Sequence, residues 1–441
     1  MAQPTPSARR LARSRRAPWI LAPLLGLAPL LLCGADWARF RGPDGSGRAG
    51  PETEIPVRWS DGDGVVWKLE LPGPGSSSPI VSRGRVFVTC YSGYGVGRRG
   101  GGEIDDLRRH VVCADERTGK LLWDRSIESK LPEERFEGIG VPNHGYASST
   151  PVADGERVYA FFGRSGVVAY DLDGEEKWRA AVDPDPRTNN FGSASSPVLW
   201  GDLLIVPASV ECEAIVAFDK RTGREVWRAP AAGYGAWWGT PVVAEAGGET
   251  ELIVSVPGEV WALNPENGKL RWYAESFPER AICPSVVLAD GIAYAIGGRS
   301  GGAVAVRAGG RGDVSRSHVV WKSSRGSYVT SPVVHEKHVY WVNDRGVAYC
   351  LEAETGKQVY EERIDGASSV YASPVLAGGK LYVVSRRNGT FVLDASPTFR
   401  APSRNALASD DSDFNASPVP SGSRLLIRSN RFLYNIGKPS A

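Results

Sequence analysis

The side chains best suited to recognition chemistry recur just ahead of a series of pairs made of a small residue and a proline. They are Asn143-His144-Gly145-Tyr146, Asn189-Asn190-Phe191, Tyr234-Gly235-Ala236-Trp237-Trp238, Arg280, Tyr328, Tyr371 and Asp413-Phe414-Asn415. Rings supply stacking area and amides supply directional hydrogen bonds, so this mixture around a concave mouth suits a flat cofactor, a sugar or an extended peptide. The same rings could instead plug a channel and dry the inner strands, and both readings stay open. The expected contacts are Tyr146, Trp237, Trp238, Tyr328 and Tyr371, with His144, Asn190 and Arg280 giving polar direction.

Catalytic and metal chemistry is poorly represented. Neither Gly-x-Ser-x-Gly nor His-Glu-x-x-His occurs. His335 and His338 flank a hairpin tip without acidic neighbours at ligand spacing, and read as solvated. The glycines between Tyr91 and Gly102 lack the strand-to-helix context of a phosphate loop, and Arg311-Gly312-Asp313 reads as a chance match to an adhesion tripeptide. Cys90, Cys113, Cys212, Cys283 and Cys350 show no Cys-x-x-Cys spacing and are read as small buried strand residues rather than a disulfide or zinc framework. No catalytic or metal-binding residue is assigned.

The elements that must position the mouth come from a repeat. Ser78-Pro79, Thr150-Pro151, Ser196-Pro197, Thr240-Pro241, Cys283-Pro284, Ser331-Pro332, Ser373-Pro374 and Ser417-Pro418 each open a unit, with the prolines 72, 46, 44, 43, 48, 42 and 44 residues apart. That period suits four-stranded propeller blades. Hairpins such as Asp115-Glu116-Arg117-Thr118-Gly119 and Asp219-Lys220-Arg221-Thr222-Gly223 lead into a fourth strand carrying Trp123, Trp178, Trp227, Trp272, Trp321, Tyr360 and, in the seventh unit, Phe399. These aromatics are read as interblade packing. The eighth unit lacks a fourth strand, and Val65-Val66-Trp67-Lys68-Leu69 at the other end of the chain can supply it, closing the ring and removing an open edge. The expectation is an all-β, eight-bladed propeller over residues 65–437, preceded by an extension over 36–64 and followed by a tail over 438–441. Two long connections in the first unit, Tyr91–His110 and Asp124–Ala147, should lie on the same face as the mouth.

Composition agrees with this architecture: 52 Gly, 31 Pro and 14 Trp against a single Met describe short strands and tight turns. Residues 1–35 read as an export signal, with five arginines ahead of an apolar run from Trp19 to Leu32 and a cleavage site before Asp36. Cys33 also stands in a weak lipobox. Without that segment 47 Lys and Arg face 50 Asp and Glu, so nothing marks a nucleic-acid binder.

Ala114-Asp115-x-x-Thr118-Gly119 with Trp123, and Ala217-Phe218-Asp219-x-x-Thr222-Gly223 with Trp227, resemble the tryptophan-docking repeat of PQQ quinoproteins and BamB-type assembly factors. Asp36-Trp37-x-x-Phe40-Arg41-Gly42-Pro43-Asp44-Gly45-Ser46-Gly47 resembles the start of exported PQQ-like propeller proteins of planctomycete-type bacteria. The resemblance implies one of two functions. The first is a non-catalytic, monomeric scaffold in the periplasm or cell envelope that binds an envelope protein, peptide or glycan without a cofactor. The alternative is a PQQ-dependent alcohol or sugar dehydrogenase, which implies PQQ with calcium, a catalytic Asp and commonly a vicinal cysteine pair. No two cysteines are adjacent here, which favours the scaffold.

Overall fold

A computed structural model describes Met1 and residues 36–51, 53–183, 190–299 and 301–438. The expected export signal, its cleavage site and Cys33 lie outside the described residues, Met1 apart.

Eight antiparallel sheets of at least four strands are arranged as propeller blades. Their innermost strands are Ile80–Ser82, Val152–Ala153, Val198–Trp200, Val242–Ala246, Val287–Ala289, Val333–His335, Val375–Ala377 and Val419–Ser421, which number blades 1 to 8. The middle strands of a blade are apolar on both sides because they pack against two neighbouring blades, whereas the outermost strands are largely exposed. In Arg85–Ser92 of blade 1, Val86, Val88 and Cys90 join Trp67 and Leu426 of blade 8, while Phe87 joins Trp123 and blade 2 residues Val158 and Ala160. The ring closes as expected: Val65–Glu70 is the outermost strand of blade 8, with Trp67 opposite Asn435 and Leu69 opposite Leu433.

The outer rim is held by docked tryptophans. Trp67, Trp123, Trp178, Trp227 and Trp321 each donate the indole N–H to a backbone carbonyl of the next blade (Glu116, Leu172, Lys220, Pro265 and Ala353) at 2.8–3.0 Å. Each ring lies on the glycine of the neighbouring hairpin; a Cβ at Gly119 would stand 2.5 Å from Trp67, at a φ of +70° that also disfavours any side chain. The hairpin is preset by its aspartate, since Asp115 Oδ1 accepts both the N–H and the hydroxyl of Thr118.

Two units depart from the pattern. In blade 5 the tight hairpin is replaced by a longer connection, and Gly312–Asp313 of the Arg-Gly-Asp triplet pairs in parallel with Trp272 and Tyr273 as a fifth strand on blade 4. Trp272 then donates to the buried carboxylate of Glu251 at 2.9 and 3.0 Å. In blade 7 the fourth strand is Ser403–Asn405, so the expectation that Phe399 sits on it is corrected. Phe399 precedes the strand and meets Tyr360 edge-on at 5.5 Å. Trp59 fills the interface between blades 7 and 8 instead, beside Tyr382, Val392 and Leu425, and its backbone N–H is held by Asn405 Oδ1 at 2.9 Å.

The small residues of the repeat form an inner ring. Ser78 N–H donates to Thr150 Oγ1, Thr150 to Ser196 Oγ, Ser196 to Thr240 Oγ1, Thr240 to Ser285 Oγ, Ser285 to Ser331 Oγ, Ser331 to Ser373 Oγ, Ser373 to Ser417 Oγ, and Ser417 back to Ser78 Oγ, all at 2.8–3.1 Å. In most units the following proline fixes φ and has no N–H to satisfy near the axis. The fifth anchor is therefore Ser285-Val286 and not Cys283-Pro284. The hydroxyl decides the register, and it turns the uneven proline spacings of 43 and 48 into hydroxyl spacings of 45 and 46.

Residues 36–49 cross the floor of the channel. Trp37 and Ala38 carbonyls accept Val81 and Ala153 amides of blades 1 and 2, Arg39 donates to Pro241 O of blade 4, and Arg41 donates to Pro332 O and Pro374 O of blades 6 and 7. The strap ends by exchanging backbone bonds with Leu376. Gly47 is required where it stands, because a Cβ there would meet the Arg41 guanidinium at 2.4 Å.

Candidate binding site at the propeller mouth

Above this floor lies an axial cavity of about 260 Å³. Phe40 forms its base, the eight ring hydroxyls its wall, and Ile139, Asn143, His144, Phe191, Trp238, Arg299, Tyr328, Tyr371 and Asn415 its mouth. The mouth is braced where blades 7 and 8 meet blades 1 and 2. A single turn, Val141–His144, starts with Pro142 in its first turn and ends at Gly145 with φ +75°. Asn143 on that turn is clamped from blade 7 and the connection into blade 8, its side-chain oxygen by Arg386 at 3.2 Å and its carbonyl by Asn415 at 3.2 Å. Arg98 of the long blade 1 loop reaches Asp411 O at 2.8 Å. The two long connections of blade 1 thus lie on the mouth face, although strands Arg85–Ser92 and Arg108–Asp115 reach into the first, leaving 93–107 as its loop.

Four of the eight expected contacts line the cavity. His144 donates Nε2–H to Phe191 O and accepts from Ser148 Oγ at Nδ1, 2.6 Å away. Burial holds its pKa below the usual histidine range, with the nearby Arg386 charge acting in the same direction against the Phe191 hydrogen bond. Trp238 donates to Gly192 O at 2.9 Å and packs edge-on against Phe191. Tyr328 lies under Arg299, 4.8 Å from ring to guanidinium, and Tyr371 under Arg386 at 5.1 Å.

The other four lie elsewhere. Trp237 is fully buried on the two-residue strand Ala236–Trp237, which pairs with Ala281–Ile282, and belongs to the largest apolar core. Tyr146 is buried among Tyr91, Tyr94 and Phe136 beneath the blade 1 loops, its hydroxyl on Glu134 O at 2.7 Å. Asn190 and Arg280 are exposed outside the lining. Asn143, Phe191 and Asn415 belong to the segments singled out in the sequence. Arg299 was missed: it follows Gly297-Gly298 in the second-to-third-strand loop of blade 5, and that glycine pair was its only signal.

The charge distribution is one-sided. Among the described residues no Asp or Glu lines the cavity, and Arg299 is the one Arg or Lys that does. Burial pushes the guanidinium of Arg39 down to about 10 and that of Arg41 to about 9, with Asp44 acting in opposition. The nearby carboxylates are paired or buried outside the lining: Asp413 pairs with Arg386 at 3.2 Å and Arg387 at 2.6 Å beside the mouth. Glu133 pairs with Arg109, and Glu211, on the turn Ser209–Cys212, is pushed up to about 7, chiefly by burial.

Two serine–histidine pairs bear on catalysis. Ser148–His144 has a backbone carbonyl where a hydrolase relay has a carboxylate. Ser92 Oγ, His110 Nε2, His110 Nδ1 and Asp124 do follow the order of such a relay, at 2.8 and 3.0 Å, but none of the three lines the cavity and His110 is 8% exposed. They lace together three strands of blade 1. His335 and His338 face each other across their turn, and no cluster of three or more His, Cys, Asp or Glu able to hold a metal occurs among the described residues. Cys90, Cys113 and Cys350 are buried strand residues as expected, whereas Cys212 ends a turn and Cys283 lines the cavity.

The docked tryptophans, the ring closure and the axial cavity define a β-propeller of the PQQ-like repeat class. The chain belongs to the family described as outer membrane protein assembly factor BamB, whose model matches residues 57–211, 211–307 and 299–398. BamB of Burkholderia pseudomallei is 23% identical over 324 residues, covering 64% of this chain and 78% of that protein. The structure of BamB from Moraxella catarrhalis superposes with a TM-score of 0.59 at 14% identity, covering 86% of this chain and 98% of that one. A europium-containing methanol dehydrogenase superposes at 0.63 with 11% identity, covering 92% and 98%. These superpositions establish the fold.

The dehydrogenase relative raises the question of PQQ with a metal. Such a group needs carboxylate oxygens for the cation and a carboxylate base. The cavity offers hydroxyls, amides, one imidazole and one guanidinium, so its lining does not fit that group.

Proposed function

We propose that this protein is an exported, non-catalytic scaffold of the cell envelope that docks an envelope protein, peptide or glycan at the propeller mouth. The observation that carries this reading is a braced mouth of rings and amides around a cavity whose lining lacks a carboxylate. Ile139 and Phe191 stand exposed on its rim, 63% and 38%, beside Trp238 and Tyr371, the mixture of apolar anchors and polar direction that macromolecular contacts use. The BamB relatives, named for outer membrane protein assembly, support the same class. Cofactor-free action is part of the proposal. Purified protein supplied with PQQ and calcium is expected to show neither quinone absorbance nor dye reduction.

The direct test places a photo-crosslinking amino acid at Ile139 or Phe191 in cells, with Leu270 on the outer rim as control. A discrete adduct from the mouth positions, absent from Leu270, is the expected result. Equal labelling from all three positions contradicts the proposal.

A further inference from the structure

Across the two outer strands of a blade, the repeat sets what stands beside the docked aromatic. In blades 1, 2, 3 and 5 the next cross-strand pair joins a valine to a charged residue: Val112 with Asp124, Val168 with Arg179, Val216 with Arg228 and Val304 with Lys322. Blades 6 and 8 set a tyrosine against a charge, Tyr349 with Glu361 and Tyr434 with Lys68. Among these blades, blade 4 alone sets two rings together, Trp261 with Tyr273.

Two irregular segments converge on that pair. The connection into blade 4 brings Tyr234, 37% exposed and outside the mouth lining, edge-on to Trp261 at 4.5 Å. The fifth strand brings Asp313 opposite Tyr273. Two residues along, Glu259 and Glu275 stand directly opposite each other, and Glu259 accepts the Trp261 indole N–H at 2.5 Å. Like charges so placed destabilise a sheet unless something offsets them. Arg271 and Arg311 pair with Glu249 instead, and none of Glu259, Glu275 and Asp313 is ion-paired among the described residues. All three carboxylates bear on Tyr273 and raise its phenol above the ordinary range, Asp313 most, with burial second.

Blade 8 shows the equivalent position filled. There the Lys68 ammonium lies 3.7 Å from the centre of the Phe432 ring and 5.5 Å from that of Tyr434, whose hydroxyl donates to Asp410 at 2.9 Å. Blade 4 has the rings and the carboxylates without the lysine.

We propose that the corner formed by Tyr234, Trp261 and Tyr273 on blade 4 binds a primary ammonium group on an alkyl chain, the chemistry shared by a lysine side chain and a free diamine. Trp261 is the buried base of this corner, and Tyr234 and Tyr273 are its exposed and half-buried walls. The walls take the ammonium and its methylenes, while Glu259, Glu275 and Asp313 accept its N–H donors. None of these residues lines the axial cavity, so this site is separate from docking at the mouth and either can fail without the other.

The test follows the indole N–H resonance of Trp261 by NMR in the full chain, assigned by its loss in Trp261→Phe, as amines are added at neutral pH and fixed ionic strength. A blocked lysine tripeptide or putrescine is expected to shift that resonance saturably with a Kd of about 1–10 mM, and the tighter of the two identifies the source. The matched norleucine tripeptide, which keeps the methylenes without the charge, is expected to leave the resonance in place. Tyr234→Ala and Glu275→Gln, both at exposed positions, should each weaken binding per folded molecule about threefold, and together about tenfold. The proposal is overturned if neither amine gives a saturable shift by about 20 mM, if the norleucine peptide binds as tightly, or if the double variant keeps full affinity. Tetramethylammonium has no N–H to donate, and its binding more tightly than both amines would overturn the primary-ammonium class.

Discussion

The floor and the mouth of the channel are built from the same eight blades, yet they are finished in opposite ways. At the floor, two buried arginines and the backbone of residues 37–49 tie blades 1, 2, 4, 6 and 7 together through carbonyl contacts that the repeat itself supplies. At the mouth, loops of unequal length reach over the opening, and their side chains bond one another where Arg386 and Asn415 hold Asn143. The floor uses backbone groups present in every blade and tolerates little change. The mouth uses side chains particular to single loops, which can vary while the ring persists. On the proposed function, stability and recognition are therefore separated along the axis of the propeller.

The sharpest way to break that separation is to open the ring. Deleting residues 65–71 removes the outermost strand of blade 8 and Trp67 from the blade 1 interface, and loss of the cooperative melting transition is expected. An unchanged transition would show that closure does not hold the blades. Trp123→Ala, on the outer rim, should cost about 3–5 kcal/mol in denaturant unfolding by emptying the interface with blade 2.

Glu211 sharpens the comparison through pH. Its folded-state pKa of about 7 lies above the ordinary 4.5, so the folded protein holds a proton that the unfolded chain releases. Its contribution is full below about pH 4.5 and declines as pH rises towards 7. Glu211→Gln should raise stability at pH 8 by up to about 3 kcal/mol and flatten the profile between pH 5 and 8, as read by urea midpoints. A smaller effect is expected in the inner ring. Ser331→Ala leaves the buried Ser285 N–H without its acceptor and should cost about 1–2 kcal/mol.

The blades were legible because strand alternation, hairpin chemistry and fourth-strand tryptophans are local signals that repeat. Closure by Val65–Glu70 was legible because a missing strand at one end matched a surplus strand at the other. The anchor residues were found but their role was not: a small residue before proline looks like punctuation until the ring shows eight amides each meeting the next hydroxyl. The misplaced fifth anchor follows from that, since proline drew the eye where serine held the bond. At the mouth, adjacent Trp237 and Trp238 looked equivalent. A two-residue strand turns one into the core and the other to the cavity, and only the partner strand at Ala281–Ile282, about forty residues away, decides which. Arg299 carries no periodic signal at all.

Trp238→Ala tests the central claim most directly, with two readouts on the same protein: the melting temperature and the yield of the crosslinked adduct from Ile139. Trp238 is half-buried at the rim and contributes one hydrogen bond to Gly192 O, so its loss is expected to move stability little. If the mouth is the docking surface, adduct yield per folded molecule should fall about fivefold or more, matching the ~1–3 kcal/mol of a binding anchor. A lowered melting temperature with undiminished adduct would show instead that the ring only plugs the channel, and would contradict recognition at the mouth.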